Sequence, residues 1–160
     1  MQEDFLNFIW KYKRFKTRDL LTVNSEKVSI VNLGQHNYNS GPDFFNAQVA
    51  IDTQKWAGNV EIHIKSSDWF VHNHETDKAY DNVILHVVWD HNTDIFRKDN
   101  TPIPTLELRD YVDKSLLDSY QKLMQSKSWI NCETDFASVD DFKLTNWIER
   151  LYIERLERKS

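Results

Sequence analysis

Cysteine is nearly missing from this chain. Cys132 is the single example in 160 residues, so no internal disulfide can form, and a reducing, cytoplasmic setting is expected. Glycine and proline occur three times each, and neither an internal repeat nor a low-complexity segment is present. No apolar run approaches the ~20 residues that span a bilayer. The opening Met-Gln-Glu-Asp is not the basic-then-apolar pattern of a signal peptide, so no membrane role is expected. The net charge of -5 argues against a general polyanion binder, because that affinity grows with the number of phosphates neutralised. Phosphate loop, dinucleotide fingerprint and nucleophile elbow are all lacking.

What is present suits one soluble domain with a sizeable core: 40% apolar and 28% charged residues. Aromatics reach 13%, six of them tryptophan, which predicts large flat side chains at packed positions. Phe5, Phe8, Ile9 and Tyr12 recur at helical spacing over residues 3–14. Strands are expected over 19–23, 27–33, 44–51, 59–65, 83–89 and 105–108, the last held to an edge by Pro102 and Pro104. Phe45, Ala47, Val49 and Ile51 should share one strand face, and 52–58 should be a turn. One helical turn is expected near 77–80. Helices follow over 113–126 and from a capping box at Ser138 and Asp141 to the C-terminus. The whole reads as an α/β or α+β domain, a mixed sheet of four to five strands flanked by helices. Its core would be residues 1–110, with 111–160 a helical extension.

The last helix carries Trp147, Leu151 and Leu156 among apolar residues on most of its sides. Such a helix needs partners. It is expected to pack on the body of the domain, on a further C-terminal region or on a second chain.

Two of the three glycines open the stretches richest in chemistry: Gly41-Pro42-Asp43-Phe44 and Gly58-Asn59-Val60-Glu61-Ile62-His63-Ile64-Lys65. Strand alternation puts Val60, Ile62 and Ile64 on one face and Glu61, His63 and Lys65 on the other. A carboxylate, an imidazole and an ammonium in one row, with Asp43 at the mouth of the preceding strand, suit a divalent metal and an activated water. All six histidines fall between residues 36 and 91. His72 and His74, with His63 and His86, also invite a zinc reading, though neither thiols nor an HExxH pattern support it. His86 lies inside the apolar run 83–89, where a hydrogen-bonded core histidine is the usual finding. Residues 11–18 are basic with two aromatics interleaved. They fit a helix C-terminus or a strip for a nucleic-acid backbone.

Asn37-x-Asn39-Ser40-Gly41-Pro42-Asp43-Phe44, Gly58-Asn59-Val60-Glu61-Ile62-His63, Ser67-Asp68-Trp69, His72-x-His74 and Ala79-Tyr80-Asp81-Asn82-Val83 together resemble a bacterial family known only as a domain of unknown function (DUF2851). The likeness runs from Leu6 and Trp10 to about Leu108, with a weaker echo at Ile130-Asn131-Cys132, and its members are usually much longer. A more distant resemblance is to restriction-endonuclease-like nucleases of the PD-(D/E)XK type: helix, strand, strand with Asp, strand with Glu, crossover, strand. That resemblance implies Asp43 and Glu61 as ligands of Mg²⁺ or Mn²⁺, with zinc ranked behind them. It places His63 where the family's lysine stands, and Lys65 two residues further on the same face. Trp69 to His74 is similar to the aromatic-histidine segment of very short patch repair endonucleases. The resulting expectation is metal-dependent phosphodiester hydrolysis with nucleic acid as partner. Asp43 and Glu61 would hold the metal, His63 or Lys65 would orient water, and His72 or His74 would protonate the leaving oxygen. The alternatives are a non-catalytic binding or scaffold module on a degenerate nuclease fold, and a zinc-dependent hydrolase.

Overall fold

The computed structural model describes residues 2–125 and 133–159. Cys132 and the Ile130-Asn131 echo lie outside these residues. Two compact units are distinguished, Met1–Tyr120 and Gln121–Ser160. The first extends past residue 110 because Leu116, Leu117 and Tyr120 pack on its core, Tyr120 stacking on Phe5 at 4.1 Å between ring centroids.

In that unit, helix α1 (Glu3–Lys11) leads into strands β1 (Leu20–Leu21), β2 (Lys27–Asn32), β3 (Gln35–His36), β4 (Phe44–Ile51), β5 (Gln54–Lys65), β6 (Val83–Asp90) and β7 (Thr105–Glu107). They form one seven-stranded sheet ordered β1-β2-β4-β5-β6-β7, with β3 beside β4. The sheet is larger than the expected four to five strands, because all six segments read as strands join it and the loop after Gly34 adds β3. It is mixed: antiparallel from β1 through β5, then parallel for β5 with β6 and β6 with β7. The sheet curls like a barrel: the Val23 N–H donates to the Thr105 carbonyl at 2.9 Å, joining the β1 end to β7.

Three local departures have physical causes. Residues 54–58 belong to β5, because Asp52 at φ +50° reverses the chain tightly and leaves only Asp52 and Thr53 outside the Ile51–Gln54 pair. In β4 the register shifts between Phe44 and Ala47, with Asn46 at φ +57°. This bulge turns Phe44, 1% exposed, into the core in place of Phe45, which is half-buried. Strands β5 and β6 run parallel and so need a crossover. It holds the short helix α2 (Asp68–Val71) as well as the expected turn at Lys78–Tyr80.

The main core joins Phe5, Leu6, Ile9 and Trp10 of α1 to Val60, Ile62, Leu85 and Val87 of the sheet. A smaller core of Trp69, Tyr80, Val83, Ile95 and Ile103 lies under the crossover. Strand β5 is thus covered on both faces, which explains why Val60 through His63 are all buried.

Helix α3 (Lys114–Gln125) ends the described part of this region; α4 (Glu133–Phe136) and α5 (Asp141–Glu157) follow. The α5 cap is Asp140, which accepts from the Lys143 N–H at 3.2 Å, rather than Ser138. On α5 itself Trp147, Leu151 and Leu156 are 63%, 49% and 48% exposed. Among the described residues no helix is long and apolar enough to cross a membrane.

Candidate metal centre

Asp43 and Glu61 are locked together by reciprocal bonds across β4 and β5. The Asp43 N–H donates to Glu61 Oε2 at 3.0 Å, and the Ile62 N–H donates to Asp43 Oδ2 at 2.9 Å. Each carboxyl keeps one oxygen outside these bonds. Glu61 Oε1 faces the histidines, 3.5 Å from His63 Nε2 and 3.3 Å from His74 Nε2. The second approach is close but lacks hydrogen-bond geometry, so the buried His74 Nε2 is unsatisfied.

Alternation along β5 explains why Glu61 and His63 share a face. The crossover then returns over that face and delivers His72 and His74. His63 Nε2 lies 3.1 Å from His72 Nδ1, and His63 Nδ1 lies 2.8 Å from His86 Nε2. One ring nitrogen from each of His63, His72 and His74 falls within 4.8 Å of the others. Tyr80 stacks on His74 at 3.7 Å, and Trp69 meets His74 and His86 edge-on. His36 instead packs on Tyr38 and Phe44, and His91 lies 3.4 Å from Asp94.

Burial dominates the electrostatics. It pushes Asp43 up to about 7, helped by the adjacent Glu61 and opposed by the Ile62 N–H. It pushes Glu61 up to about 8, the Asp43 N–H opposing and Glu3 adding to the rise. The same desolvation drives His63 down to about 3, aided by His74 and His72, and lowers His74 and His86. The close Glu61–histidine contacts are therefore between neutral groups near pH 7, not ion pairs. A divalent cation would invert this logic, stabilising both carboxylates and leaving the imidazoles neutral as ligands.

The structure thus brings together Asp43, Glu61, His63, His72 and His74. It does not bring in Lys65, which is exposed, its N–H donating to Asp68 Oδ2 at 2.9 Å. The strand ends there, and four residues of extended chain carry Lys65 roughly 13 Å beyond Glu61. Tyr80 and Glu3 are parts of the site that motif reading did not assign to it, and His86, weighed there both as a zinc ligand and as a core histidine, is the buried partner of His63. The signal for His86 was parallel pairing, since it stands opposite Glu61 in the β5–β6 register. Glu3 lies in the first turn of α1, and its charge acts on Glu61 and His72. The basic strip begins at the other end of that helix, roughly 13 Å away along its axis, where Lys13, Arg14 and Lys16 line a cleft with Asp110 and Asp113.

A mixed, barrel-like α/β sheet with a buried histidine–carboxylate cluster under its parallel crossover defines the class. The chain belongs to the family described as "Protein of unknown function (DUF2851)", whose model matches residues 3–160. No curated protein and no solved structure matches the chain.

Proposed function

We propose that the chain is a metal-dependent hydrolase of phosphodiester bonds in nucleic acid. The observation that carries this reading is the interlocked pair of Asp43, at the start of β4, and Glu61, on β5, with His63 and His74 beside the free Glu61 oxygen and His72 completing a histidine triad. The order α1, three strands, β4 entered from Asp43, Glu61-bearing β5, crossover and parallel β6 keeps the sequence of acids and crossover on which the restriction-endonuclease-like comparison rests. A divalent ion there would lower the pKa of a bound water and offset charge developing on phosphate. Asp43 and Glu61 would lose their protons as the ion binds and so supply the negative charge that holds it. His72, the exposed member of the triad, leaves the site open to solvent and substrate.

Glu3, Asp68 and Asp77 leave the surroundings acidic, so a phosphodiester would approach only after a cation is bound. Lys65 at the surface favours a second reading, a metal-stabilised binding module lacking the nuclease lysine. Incubation of the metal-loaded protein with single- and double-stranded DNA and RNA separates the two. Cleavage abolished in Asp43→Asn, whose side chain can still accept the Ile62 bond, supports hydrolysis. A loaded, folded wild type that cleaves none of these polymers leaves the binding module.

A further inference from the structure

We infer that one ring nitrogen each of His63, His72 and His74 holds a first-row transition metal of the zinc class, in a tetrahedral site whose fourth position is left to water beside Glu61 Oε1. This rests on the metal-centre reading above and names its ion. Tetrahedral zinc holds nitrogen and oxygen ligands at about 2.0–2.1 Å, so neighbouring ligand atoms lie about 3.3 Å apart. The three ring nitrogens already stand within 4.8 Å of one another, His63 to His72 at 3.1 Å, and Glu61 Oε1 lies 3.3 Å from His74 and 3.5 Å from His63, where it can accept from a water in the fourth position.

The donor chemistry points the same way. Magnesium needs octahedral oxygen at 2.0–2.1 Å and usually keeps several waters. Three imidazoles with a carboxylate beside the open position suit zinc, iron, copper or nickel. The buried His74 Nε2, with no hydrogen-bond partner, points at Glu61; a ligand bond satisfies it.

The supporting shell is also built. His86 is fully buried and holds the far nitrogen of His63 at 2.8 Å, an arrangement that fixes ring orientation in metal sites. For His63 Nε2 to carry a free lone pair, its proton must sit on Nδ1 and be donated to His86 Nε2. The Asp43 N–H holds the other Glu61 oxygen. Tyr80 stacks on His74. Only His72 is exposed, which leaves an entry path for the ion.

The test uses Co²⁺ as an optical substitute on full-length protein stripped with chelator. The expected result is one Co²⁺ per chain with the intense visible bands of tetrahedral coordination, displaced by equimolar Zn²⁺ and retained in millimolar Mg²⁺. His72→Ala, at an exposed position where folding is not at stake, should weaken Co²⁺ binding by about 100-fold or more, beyond the loss usual for an outer-shell change. Lys65→Ala should bind as wild type does. Weak octahedral bands, or a His72→Ala protein that binds Co²⁺ as wild type does, would overturn the assignment. Tetrahedral binding without cleavage of any nucleic acid refutes only the hydrolase reading. Cleavage with Mg²⁺ by a protein that takes up no Co²⁺ refutes only this one.

Discussion

Gly58 and Gly41 open the two motifs that carry the site, yet they are glycines for different reasons. At Gly58 a Cβ would stand 2.5 Å from the Asn82 carbonyl oxygen, 2.5 Å from Ile84 Cγ2 and 3.0 Å from Asn82 Oδ1. Comfortable contacts lie near 3.5–4.0 Å, so β5 and the start of β6 must separate by roughly 1 Å. That movement strains the 2.8 Å bond from the Asn59 N–H to the Asn82 carbonyl, just before Glu61 and His86 face each other. Overpacking of this kind costs about 1–3 kcal/mol. Gly58→Ala belongs at the upper end because it meets backbone, and at about 2–4 °C per kcal/mol for a chain of this size Tm should drop by ~6–12 °C. Gly41 has φ +98° and open space, its nearest neighbour at 3.6 Å. Gly41→Ala meets only the backbone penalty, about 1–2 kcal/mol, and should lower Tm by ~2–8 °C. Thermal melts followed by far-UV circular dichroism, paired with Co²⁺ titration, measure both variants. Gly58→Ala should be the less stable and the weaker in metal binding. A Gly58→Ala protein that melts with wild type, or above Gly41→Ala, refutes the close-approach argument.

In chelator, stability should describe a dome against pH. Asp43 and Glu61 have raised folded pKa values of about 7 and about 8, so their contribution is complete below about pH 4 and is lost as pH rises through 7 to 8. His63, lowered to about 3, acts oppositely: its contribution is present above about 6.5 and is lost as pH falls. Urea midpoints should therefore fall from pH 6.5 to 8.5 in metal-free protein, and saturating Zn²⁺ should remove that fall; a flat metal-free profile contradicts the burial of the pair. Trp10 is fully buried and its Nε1–H donates to the Leu33 carbonyl at 3.2 Å. Trp10→Phe should cost about 1–3 kcal/mol in urea unfolding by orphaning that carbonyl, and a loss below about 0.5 kcal/mol would show that the bond is replaced by water.

Local pattern carried β4, β5 and β6 well, because period-2 alternation and the apolar run 83–88 are properties of neighbouring residues. It placed Glu61 and His63 on one face for the same reason. What it could not place was decided by pairing at a distance. His86 enters the site through the parallel β5–β6 register, and Phe44 replaces Phe45 in the core through a bulge at Asn46. Lys65 kept the right face by alternation but lay too far along the strand, a distance that spacing rules of the nuclease type do not weigh.

The bond from Val23 to Thr105 also bears on how the protein is made. Its companion, the Leu21 N–H donating to Tyr111 Oη at 3.1 Å, joins residues 90 apart in sequence. Contacts of such separation are slow to form, because loop closure must precede any stabilisation they bring. While the chain emerges from the ribosome, the outer edge of β1 must wait unpaired until Thr105 and Tyr111 have been synthesised. An unpaired edge is a template for pairing with another chain. The protein should therefore be most exposed to aggregation during translation, and a release from the ribosome before Tyr111 should yield insoluble product.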